Sequence, residues 1–264
     1  MPPVFSVTSA QMTAWMVVFL WPFVRMLALV STAPVFGESW VPPRVKVGIA
    51  AMLALVVGPT LDPMPAVPVV SVGGVWIIVQ QVLIGVAMGF AMRLVFTAVL
   101  AAGEYIGLQM GLSFASFFDP MNGGATMVVA RLLNMLAMLI FIALDAHLLL
   151  IEALAQSFRT LPIADAPLAA QGWMFLAAGG AQIFSTGLML ALPLVAALLT
   201  LNLAMGILNR ASPQFSIFAV GFPLTLLAGI GMLQLLMPHL RAFLEPRFAN
   251  TLESVIRFTQ ALAP

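Results

Sequence analysis

The chain has few of the side chains that carry chemistry in enzymes. It has no cysteine among 264 residues, which excludes disulfides, thiolate catalysis and cysteine-ligated zinc or iron–sulfur centres. Its two histidines, His147 and His239, are too far apart for an HExxH metal motif. Lys46 is the only lysine and Val47 follows it, so no Walker A loop is present. With no GxSxG elbow either, these absences argue against most classes of enzyme.

Charge is also scarce. Only 7% of the residues are charged, with ten Lys and Arg against nine Asp and Glu, whereas 62% are hydrophobic. A soluble domain usually has about a quarter charged residues, so this chain cannot cover itself with a polar surface. Ten scattered cations also cannot form a basic face for nucleic acid. The composition therefore predicts a membrane protein that contacts lipid and binds no nucleic acid. Its long apolar runs and the prolines within them further predict an all-α polytopic integral membrane protein of kinked helical hairpins.

Long charge-free runs locate the helices. We expect apolar helices at about 14–33, 45–57, 72–102, 126–154, 172–192, 194–208 and 217–236. A helix needs about 20 residues to cross a hydrocarbon layer of roughly 30 Å, so 45–57 is predicted to be a buried or re-entrant piece. The uncharged run 166–209 is about twice as long as the bilayer core is thick. Pro193 inside this run predicts a kinked rod or a hairpin.

Glycine and proline indicate that the chain needs protein neighbours. It has 20 Gly and 19 Pro, many of them in apolar runs. In lipid, the backbone groups that these residues free must be satisfied by other protein. The linker 157–171 has two prolines and is expected to separate two substructures. The tail 238–264 alternates Arg and Glu with Phe and Leu, which predicts an amphipathic surface helix.

A glycine ladder stands out near the middle of the chain. Gly103, Gly107 and Gly111 recur at every fourth position, which lets another backbone approach one face of a helix. Polar, bulky and helix-breaking residues lie within and after it: Glu104, Met110, Leu112, Phe114, Phe117, Phe118, Asp119 and Pro120. One interpretation is a movable obstruction in a pore, made of flexible glycine and soft bulk. The other is a tight helix crossing that happens to contain phenylalanines.

Isolated charges interrupt the apolar helices. Each would cost roughly 2.5 to 3.5 kcal/mol at the centre of a membrane helix, so it must be paired, hydrated or near an edge. We expect intramembrane or inter-subunit polar roles for Arg25, Arg93, Glu104, Arg131, Asp145 and Glu152. Asp145 and Glu152 are seven residues apart and would share a helix face, so a proton relay with His147 is one possibility. Pairing with the arginines, between helices or between subunits, is the other.

Three sequence blocks are specific enough to carry a resemblance. They are RMLALVSTAPVFGESWVPPRVKVGIA, GEYIGLQMGLSFASFFDP and LMLALPLVAALLTLNLAMGILNRASPQFSIFAVGFPLTL. The last block contains NR-x-x-PQ followed by GFP, at Asn209, Arg210, Pro213, Gln214, Gly221, Phe222 and Pro223. Through these blocks, and over nearly its whole length, the chain resembles the FliR family of flagellar export-gate proteins in type III secretion.

The resemblance implies a structural and gating role without catalysis, metal or cofactor. The chain would assemble with FliP and FliQ in a helical ring, beside FlhB and FlhA, in the bacterial inner membrane at the flagellar basal body. Residues 1–165 would resemble FliP, and 166–264 would resemble a FliQ hairpin with the C-terminal tail. The segment 103–124 would plug the pore through which unfolded export substrates pass. Its occluding side chains would be Met110, Leu112, Phe114 and Phe117.

Two alternatives come from other functional classes. A stand-alone secondary transporter for a small solute would use a broken helical element at 172–208 as its substrate site. An intramembrane enzyme would need a nucleophile and a base, such as Ser113 and His147.

Overall fold

The computed structural model describes residues 8–62, 64–65, 67–112, 128–211 and 220–263, with only the backbone at 9–14 and at Phe175. Throughout these ranges the regular structure is helical, and no strand occurs in them. The all-α prediction is therefore confirmed.

Seven α-helices follow one another along the described chain. They are α1 Ser9–Thr32, α2 Pro43–Val57, α3 Val72–Gln109, α4 Val128–Ala143, α5 Ala146–Thr160, α6 Ala170–Ala211 and α7 Phe222–Ala261, with a short 3-10 turn at Gly58–Thr60. Five of the described helices are long and apolar enough to cross a membrane, and α4 with α5, bent by 65° at their break, make a sixth candidate. The prediction of a polytopic membrane protein is confirmed.

Two predicted helix boundaries were wrong. The helix α6 continues through Pro193 for 42 residues, so the hairpin and the boundary between 172–192 and 194–208 were wrong, while a kinked rod agrees with one continuous helix. In an apolar environment the helix is the conformation that satisfies the backbone N–H and C=O groups on both sides of Pro193. The one hydrogen bond lost at the proline does not outweigh those backbone hydrogen bonds. Conversely, the single helix expected over 126–154 is interrupted. Asp145 adopts a left-handed φ of 53°, which Asp tolerates better than most residues, and α5 starts anew after it.

Helix α2 also differs from expectation. It begins with Pro43 at its first position, where the missing N–H is not needed. Only Ala50 and Ala54 are buried along it, where it packs on α1, while large side chains such as Met52 and Leu55 are exposed. Of the two alternatives for 45–57, the buried piece was wrong, because the buried face of α2 is made of small residues alone. The re-entrant piece stays a prediction.

The chain folds into two compact units, each discontinuous in sequence. The first unit comprises Met1–Arg93, His147–Ala178 and Asn250–Pro264. In it α1 crosses α3 closely: a methyl group built on Gly85 would lie 2.7 Å from the Cβ of Ala28. The linker expected at 157–171 is anchored in this unit, since the amide of Gln80 donates to the carbonyl of Ala166 at 2.7 Å.

The second unit comprises Leu94–Ala146 and Gly179–Ala249. Its core contains three phenylalanines from three helices: Phe96 on α3, Phe141 on α4 and Phe248 on α7. Their ring centroids lie 5.2 to 5.5 Å apart, with Phe96 stacked on Phe248 and Phe141 edge-on to both, and these arrangements favour aromatic pairs. This cluster fixes the part of α3 that leads toward the glycine ladder.

Candidate functional site

The glycine ladder lies on the buried face of α3 in the second unit. Gly103 and Gly107 are both buried. A methyl group on Gly103 would collide with the Cα of Ala130 on α4 and lie 2.7 Å from its backbone nitrogen. The first glycine of the ladder is therefore the point where two helix backbones meet, as its spacing predicts.

The third glycine of the ladder, Gly111, has a different structural role, which sequence reasoning missed. Gly111 has a φ of 80°, in the left-handed region that favours glycine. Its N–H bonds to the carbonyl of Leu108 at 3.1 Å, and the N–H of Leu112 bonds to the carbonyl of Gly107 at 3.0 Å. These two bonds form a Schellman motif, which ends α3 at Gln109. A glycine that closes a long apolar run is the signal that could have identified this cap.

Side chains from two other helices contact the end of α3 within the same unit. The side-chain amide of Asn202 on α6 donates to the carbonyl of Gln109 at 3.2 Å. The hydroxyl of Thr225 on α7 lies 3.3 Å from the carbonyl of Met110 and 3.0 Å from a carbonyl of its own helix, so its single proton is shared between the two. Met110 itself is 1% exposed and packs against Gly229 on α7. Sequence reasoning singled out Met110 but none of the three residues on α6 and α7 that contact this end of α3.

The remaining predicted plug and motif residues divide between described and undescribed positions. Leu112 is half-buried. Phe114, Phe117, Phe118, Asp119 and Pro120 lie outside the described residues, as do Pro213 and Gln214. Asn209 and Arg210 are in the last turn of α6, Gly221 is buried just before α7, and Phe222 and Pro223 begin α7 with exposed side chains. The roles predicted for all these residues stay predictions.

Arg25 is the most deeply buried of the predicted polar residues. Within the first unit its guanidinium donates to the side chains of Gln81, at 2.7 Å, and Ser157, at 3.0 Å, and to the carbonyl of Leu161, at 3.0 Å. It also lies 4.2 Å above the ring of Phe158. Among the described residues no carboxylate forms an ion pair with it. Its charge is instead placed at the C-terminal end of α5, where the helix dipole favours a cation.

The other predicted charges have exposed side chains: Arg93, Glu104, Arg131, Asp145 and Glu152. Within the described part of the chain, neither Glu104, Arg131, Asp145 nor Glu152 forms an ion pair. Asp145 lies in the break before α5, so the premise that it shares one helix face with Glu152 was wrong. No group of three His, Asp or Glu side chains that could hold a metal occurs among the described residues.

Comparison with known proteins decides the family. The family model of bacterial export proteins, family 1, matches residues 16–251. The chain is 52% identical to the flagellar biosynthetic protein FliR of Pectobacterium carotovorum subsp. carotovorum, over 93% of this chain and 94% of that protein. It is 50% identical to the FliR protein of Escherichia coli K12 over the same shares of both chains. The chain belongs to the FliR family.

Membership of the FliR family confirms the resemblance and settles the broad function. As a FliR-family protein with several apolar helices of spanning length, the chain is a component of the flagellar export apparatus in the bacterial inner membrane. The transporter alternative required a broken element at 172–208, but α6 is one continuous helix there. For the enzyme alternative, Ser113 lies outside the described residues.

Proposed function

We propose that this FliR-family chain is the structural and gating subunit of the flagellar type III export channel. It assembles with FliP and FliQ, beside FlhB and FlhA, and its segment 103–124 plugs the pore for unfolded flagellar proteins. The observation that carries the assembly is the exposure of its longest apolar helices. In the most apolar stretches of α6 and α7, only 22% of the residues are buried.

The length of the exposed surface on α6 favours protein partners over lipid alone. Large apolar side chains are exposed from Met174, at 74%, to Ile207, at 64%. At 1.5 Å per residue these two residues lie about 50 Å apart along the helix, whereas the hydrocarbon core is about 30 Å thick. Lipid chains alone cannot cover such a surface on a helix that crosses the bilayer steeply. The apolar surfaces of neighbouring subunits would cover the rest of this face of α6.

Exposed charges on two packed helices support the same conclusion. Glu104 on α3 and Arg131 on α4 belong to the second unit and are both exposed. A charge that faced the lipid core would cost roughly 2.5 to 3.5 kcal/mol. A partner subunit with a complementary charge, or a water-filled lumen, removes that cost, and a FliP–FliQ ring offers both.

The end of α3 supports the plug. The Schellman motif at Gly111 stops a 38-residue apolar helix and redirects the chain at the residue before a phenylalanine-rich stretch. Irregular backbone at membrane depth is permitted only where it is buried in protein or lines a water-filled cavity. A lumen that must not leak ions at rest supplies such a cavity.

The plug is tested by substitution, because a deletion that reached Gly107 would also damage the cap of α3. In the complex purified with FliP and FliQ and inserted into planar bilayers, replacing Phe114, Phe117 and Phe118 by Ala should raise the ion conductance at rest. The complex should still assemble. Unchanged conductance in an intact complex would remove the plugging role.

The assembly is tested by a second triple variant, on the exposed face of α6, for which the triple plug variant is the control. Replacing Phe184, Leu188 and Leu192 by Ser should reduce the amount of FliP and FliQ that co-purifies, because these side chains are exposed in the isolated chain. The plug variant should not reduce it. If the wild-type chain purifies alone and moves a small solute in vesicles, the secondary-transporter function replaces this proposal.

A further inference from the structure

Three residues on two helices enclose the last residues of α3: Asn202 on α6, and Thr225 and Gly229 on α7. We call them the α3 socket. We propose that the α3 socket positions the gate: it fixes Met110, so that the chain always leaves Gly111 from one point and in one direction. This inference rests on the proposed gating function. It assigns residues far from the plug in sequence to the control of ion leak.

The first argument is the hydrogen bonding of the helix end. The last carbonyls of an α-helix have no partner within the helix. At α3 the Schellman motif satisfies the carbonyls of Gly107 and Leu108. The carbonyl of Gln109 accepts a hydrogen bond from Asn202 at 3.2 Å, and that of Met110 lies 3.3 Å from the hydroxyl of Thr225, which it shares with a carbonyl of α7 at 3.0 Å. The end of α3 is therefore completed by side chains of α6 and α7, and moving it away would leave buried polar groups unpaired.

The second argument is the shape of α7 beside Met110. A methyl group on Gly229 would lie 2.5 Å from the Cγ of Met110 and 2.7 Å from its Sδ and Cε. A methyl group on Gly231, two residues along the same helix, would meet nothing within 4 Å. Glycine costs roughly 1 kcal/mol relative to alanine inside a helix. Gly229 has a packing reason to be glycine, and that reason is the side chain of Met110.

The third argument is the backbone immediately after Met110. Gly111 has a φ of 80°, which a residue with a side chain adopts only at a cost, so the direction in which the chain leaves α3 is built into this residue. A redirecting residue can aim the following segment only if the residue before it is held in place. Met110, buried against α7, is therefore an anchor, in place of the occluding side chain that the family resemblance implies.

The α3 socket is tested by two alanine substitutions on one helix. In the complex with FliP and FliQ in planar bilayers, Gly229→Ala should raise the resting ion conductance because its methyl group displaces Met110. Gly231→Ala should leave the conductance at the wild-type level. Equal conductance in Gly229→Ala and wild type, in complexes of equal composition, would overturn the inference.

Thr225→Val gives a second test that does not overpack the socket. Valine keeps the shape of threonine and removes the hydroxyl, which lies 3.3 Å from the carbonyl of Met110 and 3.0 Å from a carbonyl of its own helix. We expect the fraction of open channels to rise about fivefold, which is the factor given by the loss of one hydrogen bond. Thr200 is an exposed residue of α6 whose hydroxyl bonds to its own helix at Ala196, so Thr200→Val is the matched control. If Gly229→Ala prevents assembly, Thr225→Val alone tests the proposal. An unchanged resting conductance of the Thr225→Val complex would then refute the α3 socket.

A cross-link distinguishes a fixed anchor from a releasable one. The chain has no cysteine of its own, so Met110→Cys with Gly229→Cys introduces its only thiol pair. Oxidation should lower the conductance of this variant, and reduction should raise it again. Protein export should continue in the oxidised state, because a fixed anchor need not move when the plug opens. A block of export on oxidation would show that Met110 must leave the α3 socket, and the inference would be wrong.

These outcomes separate the inference from the function on which it rests. If the Phe114, Phe117 and Phe118 variant does not leak, the plug itself is refuted. If that variant leaks but the Gly229→Ala and Thr225→Val complexes do not, the plug stands and only the α3 socket is refuted.

Discussion

Helices α3 and α6 are similar in length, 38 and 42 residues, and almost equally apolar, yet they differ in burial. In the most apolar stretch of each, 56% of the residues of α3 are buried, against 22% in α6. On α3 three glycines meet another helix: Gly85, Gly89 and Gly103. On α6, a methyl group on Gly187 would lie 2.8 Å from a backbone oxygen of α3, but Gly180 and Gly206 have nothing within 4 Å of a built methyl group. Burial follows the places where backbones can meet, and apolar composition alone does not reveal them.

The sharpest test of this difference is a large side chain at one glycine of each helix. Gly103→Leu should prevent the second unit from folding, an effect on the order of 4–5 kcal/mol, because its side chain would occupy the backbone of Ala130. Gly206→Leu should leave the chain folded, since it faces open space. The measurement is the free energy of unfolding in an SDS titration. Equal losses in both variants would mean that α3 and α6 are packed alike.

A smaller effect is expected from two phenylalanines. Phe141→Ala removes a fully buried ring from the aromatic cluster of the second unit and should cost about 3–5 kcal/mol. Phe184→Ala on α6 removes an exposed ring and should change the stability of the isolated chain by less than about 0.5 kcal/mol. The same titration measures both. A cost above about 2 kcal/mol for Phe184→Ala would show that α6 is already packed without partners.

Arg25 extends the comparison to polar groups. Replacing it by Met leaves Gln81, Ser157 and the carbonyl of Leu161 without their donor in the interior of the first unit. Leaving buried polar groups unpaired should cost about 2–3 kcal/mol in stability. Arg241→Met, at an exposed position on α7, is the matched control and should cost less than about 0.5 kcal/mol. Equal stability of Arg25→Met and wild type would show that the polar cluster contributes nothing.

How much of the fold the sequence predicts depends on what each signal measures. Charge-free runs locate the apolar helices well, because hydrocarbon excludes charge over the length of a span. They overestimate the effect of Pro193 on α6, since one lost hydrogen bond does not end a helix with long apolar flanks. They also miss the interruption at Asp145, because no periodicity reveals its left-handed conformation. The shallow burial of α2 was also missed. It depends on which residues of α1 face α2, and no local pattern encodes that.

The candidate site shows the same limit at the level of single residues. The ladder spacing correctly marked Gly103 as a helix contact, because small residues at every fourth position are a local signal. Gly111 repeats that spacing but caps α3. Asn202 and Thr225 are 93 and 115 residues from their partners on α3, so only the folded chain brings them together. Long-range polar contacts of this kind have no sequence periodicity.

The smallest predicted effect completes the comparison of buried and exposed residues. Arg257 pairs with Glu253 at 3.1 Å, one turn away on α7, and both side chains are more than half exposed. Arg257→Gln should therefore cost only about 0.3–0.5 kcal/mol, and less in high salt, because water and ions screen such pairs. Thermal unfolding of the detergent-solubilised chain at two salt concentrations measures this. Arg257 has an acidic partner and should matter little, whereas Arg25 has only neutral partners and should matter more, since burial decides the value of a polar contact. A cost for Arg257→Gln as large as that for Arg25→Met would contradict this ranking.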